Sequence, residues 1–437
     1  MFFSRSSLNL GGMSARRPTA TSPRTHAPTR TDRSKPRLVG GVDVGTTKVC
    51  VIIGQVDADG RINVLGVGSA PSRGLRLGVV TNINQTVDSI RKAYAQAYNL
   101  AGVHPPEVLV GIAGDHISGI HANGAVVVRN PHNGIDRRDI KKVKKQAMRL
   151  NLPEDVEKLH CFPKEYVVNG RDGITEPLGL FGQRLEARML VVTSSVHAGN
   201  NLFRCMRRAG LQTSSVVLQS LASSLAVLTP AQRKCGVVLI DIGGGTSDIA
   251  IFHNNTLQHI GEIAMGGDII TWDVAKIFKI SMHEAENLKK KFGHAVPNEV
   301  DADELLEMPR RTRGERRASR SRRELAQVIE ARVEDIFLRV QAEVRRSEVT
   351  EHLSAGVVLT GGTALLEGLD TVATRMLDMP CAIAHPRGFY GMGSVVNTPI
   401  YSTSLGLMRW TVEEGRGMRR VSGPLRFLKQ LVDVYGA

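Results

Sequence analysis

The feature that most constrains this chain is a design written twice. Leu38 to Val44 reads as an apolar strand carrying Asp43 near its end, followed by a tight turn at Gly45, Thr46 and Thr47 and a return strand from Val49 to Val56. Much later, Gly236 to Phe252 repeats it: Ile240, Asp241 and Ile242 lead into Gly243, Gly244, Gly245 and Thr246, and the chain returns through Asp248. A recurring supersecondary unit of this kind signals an internally duplicated architecture. With 437 residues, the chain also exceeds the roughly 250–300 residues at which one hydrophobic core splits into two. The two hairpins are therefore expected to open two lobes.

The residue types in these turns suit phosphate and magnesium. Free backbone N–H groups can cradle phosphate oxygens, while a carboxylate at the strand end can hold Mg²⁺ through its waters, because magnesium dehydrates reluctantly. Asp43, Gly45, Thr46, Thr47 and Lys48 form one such turn, and Asp241, Gly243, Gly244, Gly245 and Thr246 the other. Three consecutive glycines permit close backbone approach to a ligand. Facing each other across a cleft, the hairpins can clamp a phosphate chain from both sides, with Gly361, Gly362 and Thr363 after the apolar strand Gly356 to Thr360 as a third element.

Composition narrows the function classes. The net charge is +15, and two segments hold nearly all of it: residues 1–37 and 309–323 each carry eight Arg or Lys against a single acid. The remaining body is expected to be nearly neutral with no basic stripe over a folded face, so no nucleic-acid partner is expected. Five cysteines, Cys50, Cys161, Cys205, Cys235 and Cys381, form an odd set without close pairs. That fits neither a disulfide framework nor a zinc site and favours a reducing, cytoplasmic compartment. No apolar run approaches the ~18–20 residues needed to cross a bilayer. The Arg/Ser/Thr/Pro-rich N-terminal arm resembles a transit sequence in composition but reads more simply as a disordered extension.

Between the hairpins, helical spacing covers Thr86 to Tyr98 and a buried strand Val108 to Ile112. Residues 115–196 mix short strand-like runs (Gly124 to Arg129, Tyr166 to Asn169, Arg188 to Thr193) with a basic helix around Ile140 to Leu150, and read as an inserted α/β subdomain. Helical spacing resumes over Ala198 to Ala209, and Val216 to Leu228 passes from strand to helix before Pro230. Later come a helix near Ile269 to Phe278, a polar loop through the arginine cluster and a long helix from Glu324 to about Arg346.

In order and spacing the three glycine motifs resemble the phosphate-1, phosphate-2 and adenosine motifs of the actin, Hsp70 and sugar-kinase superfamily. Within it, Asp43 to Lys48, His116-Ile117-Ser118, Leu221 to Leu228, Asp241 to Ala250, Leu325 to Ile329, Val358 to Leu369 and Tyr401 to Leu407 resemble the bacterial cell division family FtsA. The resemblance covers roughly residues 38–407 and recurs at the C-terminus. It implies an α/β, actin-like (ribonuclease H-like), two-lobed ATPase fold with an inserted 1C subdomain, binding ATP with Mg²⁺. Its parts would be the arm 1–37, the first lobe over 38–114 and 197–230, the 1C insert 115–196, the second lobe 231–380, a return to the first lobe over 381–407, a flexible linker 408–423 and a terminal helix 424–437.

The same resemblance brings Gly266, Gly267 and Asp268 to the nucleotide, and Glu286 with Lys289 to the ribose and adenine. An i,i+3 surface salt bridge is the equal alternative for that last pair. Hydrolysis needs a group that positions water. Gln219 is the candidate, or else a structural polar residue; with no general-base carboxylate apparent there, at most slow ATPase activity is expected. The implied partners are FtsZ through its C-terminal peptide, further copies of the chain in filaments, later division proteins through 1C, and an anionic membrane. The implied place is the cytoplasmic face of the inner membrane at the septum. FtsZ docking is expected near the arginine-rich loop, with Arg322 and Arg323 among the contacts, unless that loop is merely solvated. A pilus-assembly ATPase or a small-molecule kinase of the same fold is the alternative.

The terminal segment carries its own pattern. After Pro424, a suitable helix start, 100° steps put Leu425, Phe427, Leu428, Leu431, Val432, Val434 and Tyr435 on one half of a wheel and Arg426, Lys429, Gln430 and Asp433 on the other. Such a helix is about 16 Å long, enough to lie on a membrane and too short to span one. Its two basic residues favour anionic lipid. Docking on the protein's own core is the alternative.

Overall fold

The computed structural model describes residues 37–308, 319–347 and 349–416. The N-terminal arm, most of the arginine-rich loop and the amphipathic segment 424–437 lie outside the described residues.

The duplication is explicit in the sheets. In the first lobe, Arg37–Val44 pairs antiparallel with Lys48–Val56, which pairs antiparallel with Ile62–Pro71. On its other side Arg37–Val44 pairs parallel with Val108–Ile112, which pairs parallel with Thr213–Leu218. The second lobe builds the same order from Val237–Ile242, Ser247–His253 and Thr256–Ile263, with Val357–Thr360 and Cys381–Ile383 as the parallel strands. Each leading strand is thus central, and Val237–Ile242 is buried at all six positions. A β-rich, Val/Ile-dominated run is what such a doubly covered position requires.

Helices cover the sheets where sequence chemistry starts and stops them. Asn82 caps Ile83–Ala101 by accepting the Gln85 N–H, and Gly102 ends it in the left-handed conformation at φ 64°. Its apolar stripe, including Val87, Ile90, Ala93 and Ala97, is buried. The helix lies so close that a Cβ at Gly68 would fall 1.9 Å from the Ala93 carbonyl oxygen.

Between Val108–Ile112 and Thr213–Leu218 the chain inserts a four-stranded antiparallel sheet, ordered Ser118–Val127, Arg184–Ser195, Val156–Val168, Arg171–Ile174. The helix Arg137–Ala147 covers one face through Val143 and Ala147, and a capping box of Asp136 and Asp139 opens it. Its outer side presents Arg137, Arg138, Lys141, Lys142 and Lys145 to solvent. The expectation of a body without a basic stripe is therefore corrected. Net charge concealed it, because the exposed segment 299–307 carries five carboxylates that nearly cancel the helix in the sum.

A second correction concerns the end of the body. Residues 408–416, assigned to a flexible linker from the sequence, continue the helix Ser402–Arg416. Met408 and Trp410 are buried in the first-lobe core. This helix lies on Gln219–Val227, every residue of which is buried. The return to the first lobe also comes later than residue 381, since Cys381–Ile383 still pairs in the second lobe and Phe389–Gly391 is the first strand to pair with Ile62–Pro71.

The two helices meet at Gly406, where a Cβ would fall 1.7 Å from the Ala222 carbonyl oxygen. In a free helix Gly→Ala gains about 1 kcal/mol. Here Gly406→Ala is expected to lose about 2 kcal/mol through overpacking, read as a lowered urea midpoint at unchanged slope.

Candidate functional site

Register places the acidic residues. Asp43 stands opposite Cys50, one position from the first turn, and Asp241 stands opposite Asp248 at the second. In each turn the first glycine closes the hairpin, Gly45 N–H donating to the Lys48 carbonyl at 3.0 Å and Gly243 N–H to that of Thr246 at 2.9 Å. The turns then meet across the cleft. A Cβ at Gly244 would lie 1.7 Å from Thr47 Oγ1, and one at Gly245 would lie 2.7 Å from Thr46 Cγ2. Only glycine backbone fits there.

A second glycine pair packs beneath. Gly267 N–H donates to the Gly243 carbonyl at 2.9 Å and Asp268 N–H to that of Gly244 at 2.8 Å. Thr363 Oγ1, which follows Gly361 and Gly362, donates to the Gly243 carbonyl at 2.8 Å. A Cβ at Gly266 would meet the Gly243 and Gly244 carbonyls at 2.6 Å. Thr47 Oγ1 donates across the cleft to the Asp268 carboxylate at 3.2 Å. The structure thus brings the three glycine motifs and Gly266 to Asp268 together.

Glu286 and Lys289 form an i,i+3 ion pair of 2.7 Å on the helix Met282–Phe292. The same ammonium donates to the Gly267 carbonyl at 2.8 Å and to Thr271 at 2.7 Å, so the pair reaches the rim of the cleft. Gln219 opens the helix Gln219–Val227, one residue past the strand end. Its side chain lies over Gly111, where a Cβ would stand 2.9 Å from its Cγ. Arg322 and Arg323 are away from this site and engaged within the chain. Arg322 pairs with Glu304 at 2.9 Å and donates to the Phe292 carbonyl, while Arg323 donates to that of Val300.

The electrostatics are unusual for a folded interior. Burial pushes the Asp43 carboxyl up to about 6, with Lys48 pulling down and Asp241 pushing further up. Asp43 Oδ1 is buried without a hydrogen-bond partner. Burial also raises Asp241, against the hydroxyls of Ser223 and Thr403; Thr403 Oγ1 donates to Asp241 at 3.1 Å. Lys48 donates to the Ile400 carbonyl at 2.6 Å. Among the described residues no group of three or more side chains is placed to hold a metal by itself. An orphaned carboxylate oxygen beside glycine-only turns nonetheless fits a hydrated magnesium carrying phosphate. Asp43 and Asp241 would hold the metal through water, and the turn N–H groups the phosphate.

Sequence reasoning missed three contributors. Asp248 and Glu262 continue the acidic row across the sheet, in register with Asp241. Burial raises both, Glu262 to about 7, although it accepts the Gly114 N–H at 2.7 Å where the insert begins. His160 of the insert is buried and neutral, its pKa lowered to about 4, and its Nε2 accepts the Leu218 N–H at 3.1 Å just before Gln219. Asp248 was visible in the repeated motif. Glu262 and His160 gave no signal, because their partners are 148 and 58 residues away.

Comparison with known proteins follows this geometry. A family model described as cell division protein FtsA matches residues 238–406, and one described as the SHS2 domain inserted in FtsA matches residues 114–193. The chain is 39% identical to cell division protein FtsA of Pseudomonas aeruginosa over 379 residues, 86% of this chain and 90% of that protein. It is 34% identical to that of Escherichia coli K12 over 390 residues, covering 88% and 91%. Among solved structures it is similar to a PilM–PilN type IV pilus biogenesis complex, with TM-score 0.61 at 14% identity over 87% of this chain and 99% of that one. MreB5 of Spiroplasma citri bound to ADP gives TM-score 0.52 at 14% identity, covering 88% and 99%. These structures establish the actin-like fold.

The raised acids set a pH dependence. An Asp whose folded pKa lies above its unfolded value holds its proton longer in the native state, so stability is full below about 3.8 and is lost as pH rises through about 6. Asp43→Asn removes that loss. The variant is expected to be more stable than the parent by about 3 kcal/mol at neutral pH, with the difference closing as pH falls below 3.8, in urea unfolding without ligand.

Proposed function

Because the chain belongs to the FtsA family of cell division proteins, we propose that it is an ATP-bound, actin-like adaptor that polymerises and holds FtsZ filaments at the cytoplasmic face of the inner membrane. The observation that carries the nucleotide part is the pair of Asp-bearing hairpins turned against each other, with glycine wherever a ligand backbone must approach. Asp43 and Asp241 would hold Mg²⁺ through water. Backbone N–H groups of 46–47 and 244–246 would cradle the phosphates. Gly361, Gly362, Thr363 and the Glu286–Lys289 pair would flank the base and ribose. Magnesium supplies charge neutralisation for the phosphates when bound. Lys48 orients and balances Asp43, and the Thr47–Asp268 contact parts to admit the ligand.

Gln219 is the residue proposed to position water. Its amide can orient water but cannot take a proton from it, which supports turnover that is slow or coupled to assembly. Asp241→Ala is expected to abolish magnesium-dependent ATP binding in calorimetry; an unchanged affinity would remove Asp241 from the site.

The amphipathic pattern of 424–437 supports membrane attachment, with Leu425, Phe427, Leu428, Leu431, Val432 and Tyr435 entering the interface. One short helix binds reversibly, so polymerisation would strengthen attachment by presenting many copies at once. FtsZ, through its C-terminal peptide, is proposed to dock on the second lobe near the arginine-rich loop, and later division proteins on the insert. Since Arg322 and Arg323 also tie the helix start to its surroundings, their test needs a folding control. In co-sedimentation with vesicles, FtsZ and ATP, deleting 424–437 is expected to release both proteins from lipid. Arg322→Glu with Arg323→Glu is expected to release FtsZ alone, at unchanged melting temperature. Retention of the truncated chain on lipid, or of FtsZ by the arginine variant, overturns the corresponding part.

A further inference from the structure

The cations of the insert helix Arg137–Ala147 are arranged unlike those of the long helix Arg322–Arg346. On the long helix Arg322–Arg346, Arg332 pairs with Asp273 and Asp335, Arg346 with Glu343, and Arg375 of a neighbouring helix reaches Glu330 and Glu334. On the insert helix, Lys141, Lys142 and Lys145 are exposed, as is Arg149 just past its end, and none forms an ion pair among the described residues. Asp139, the one acid within the helix, is buried under the Arg129 and Asp136 N–H groups and does not face them. Arg137 with Lys141, Arg138 with Lys142, and Lys141 with Lys145 are all i,i+4 like-charge neighbours. Each such pair costs a few tenths of a kcal/mol. The chain accepts that cost along about 16 Å of helix, offset only near its start, where Asp136 faces Arg138.

An apolar group stands at the start of the same helix. Ile135, two residues before Arg137, exchanges backbone hydrogen bonds with the segment 177–181: its N–H donates to the Leu180 carbonyl, and Gly179 N–H donates to its own carbonyl, both at 2.9 Å. That segment exposes Leu178 at 42%, Leu180 at 41% and Phe181 at 73%. Large apolar side chains beside a row of lysines match the two halves of a bilayer interface, where rings and leucines enter the acyl boundary and ammonium groups meet lipid phosphates.

We propose that this part of the insert is a second membrane contact, in which Phe181 and Leu180 enter an anionic lipid surface and the lysine face of Arg137–Ala147 lies against its headgroups. The inference rests on the reading that 424–437 brings the chain to a membrane, and it adds a contact fixed to the folded body. A nucleic acid would leave the exposed leucines unused, and the Asp136–Asp139 box already occupies the helix N–H groups that would bind phosphate. The acidic segment of a second copy would likewise leave Leu178, Leu180 and Phe181 unused, and its Glu304 is already paired with Arg322.

The test uses the full chain with Phe181→Trp and vesicles of mixed zwitterionic and anionic phospholipid. Bromine-labelled acyl chains are expected to quench the new tryptophan relative to the parent chain. Lys141→Glu with Lys142→Glu and Lys145→Glu is expected to lower partition about 100-fold at low salt, at about 1 kcal/mol per residue, with the difference vanishing at high salt. Reversing the exposed Arg61, Lys92 and Lys234 on other surfaces controls for net charge and is expected to change partition far less. Circular dichroism melting checks that each variant is folded. A membrane-bound Phe181→Trp chain whose added indole is not quenched, or a lysine variant that partitions like the parent, overturns this contact and leaves the terminal segment as sole anchor. Quenching and salt-sensitive binding that survive deletion of 424–437 support this contact, and equal partition with and without that segment overturns the anchor instead. Duplex DNA that displaces the vesicles from the lysine face at equal phosphate concentration overturns the lipid assignment.

Discussion

Two buried carboxylates facing each other set the terms for the rest of this molecule. Asp43 and Asp241 each follow an apolar central strand into a turn, and the duplicated topology brings the turns into contact. Lys48 is the cation that offsets both. The remaining compensation comes from dipoles: the Thr403 hydroxyl, the Ser223 hydroxyl and the N-terminus of the helix Ser402–Arg416, whose partial positive charge opens toward Asp241. A row of acids continuing through Asp248 to Glu262 adds repulsion. Charge is held here in excess of what the protein alone neutralises. A hydrated dication between Asp43 and Asp241, as proposed above, would offset that imbalance, with its phosphates turned to the N–H groups of the turns.

Much of this was legible because it is local. Strand, turn and strand are adjacent in sequence, and a carboxylate beside glycines and hydroxyls has few structural uses. The helix Ile83–Ala101 was legible for the same reason, since its apolar residues recur within one turn of each other. What was not legible is set by contacts across long separations. The strand Ile62–Pro71 is interrupted by Gly66 and Gly68, which serve a helix rather than the strand. Thr256–Ile263 carries Gln258, His259 and Glu262 in a buried sheet. Residues 411–416 read as polar linker, and tertiary packing around Gly406 overrides that composition. The lysine face escaped because a sum of charges discards their positions.

The insert is joined to the cleft through both lobes. Gly114 meets Glu262 of the second lobe, and His160 meets the peptide that precedes Gln219. Trp410 of the last helix packs 5.3 Å from the His160 ring. Rotation of the insert against the lobes therefore bears on the second-lobe sheet, on the start of the Gln219 helix and on the end of the body together.

The last helix has a further consequence, for the order in which the molecule can be made. Ile400, Ser402 and Thr403 touch Lys48, Thr360 and Asp241, and Gly406 seats on Ala222. A chain leaving the ribosome at about 5–20 residues per second folds its N-terminal parts first. The first lobe here begins with Arg37 and is not closed until the helix Ser402–Arg416 has emerged, long after its other strands. Until then the wholly buried helix Gln219–Val227 lies uncovered, a surface that invites chaperones or misassembly. The cleft is thus not complete until this helix has emerged, and a translation product that stops short of it is disqualified by its own open core.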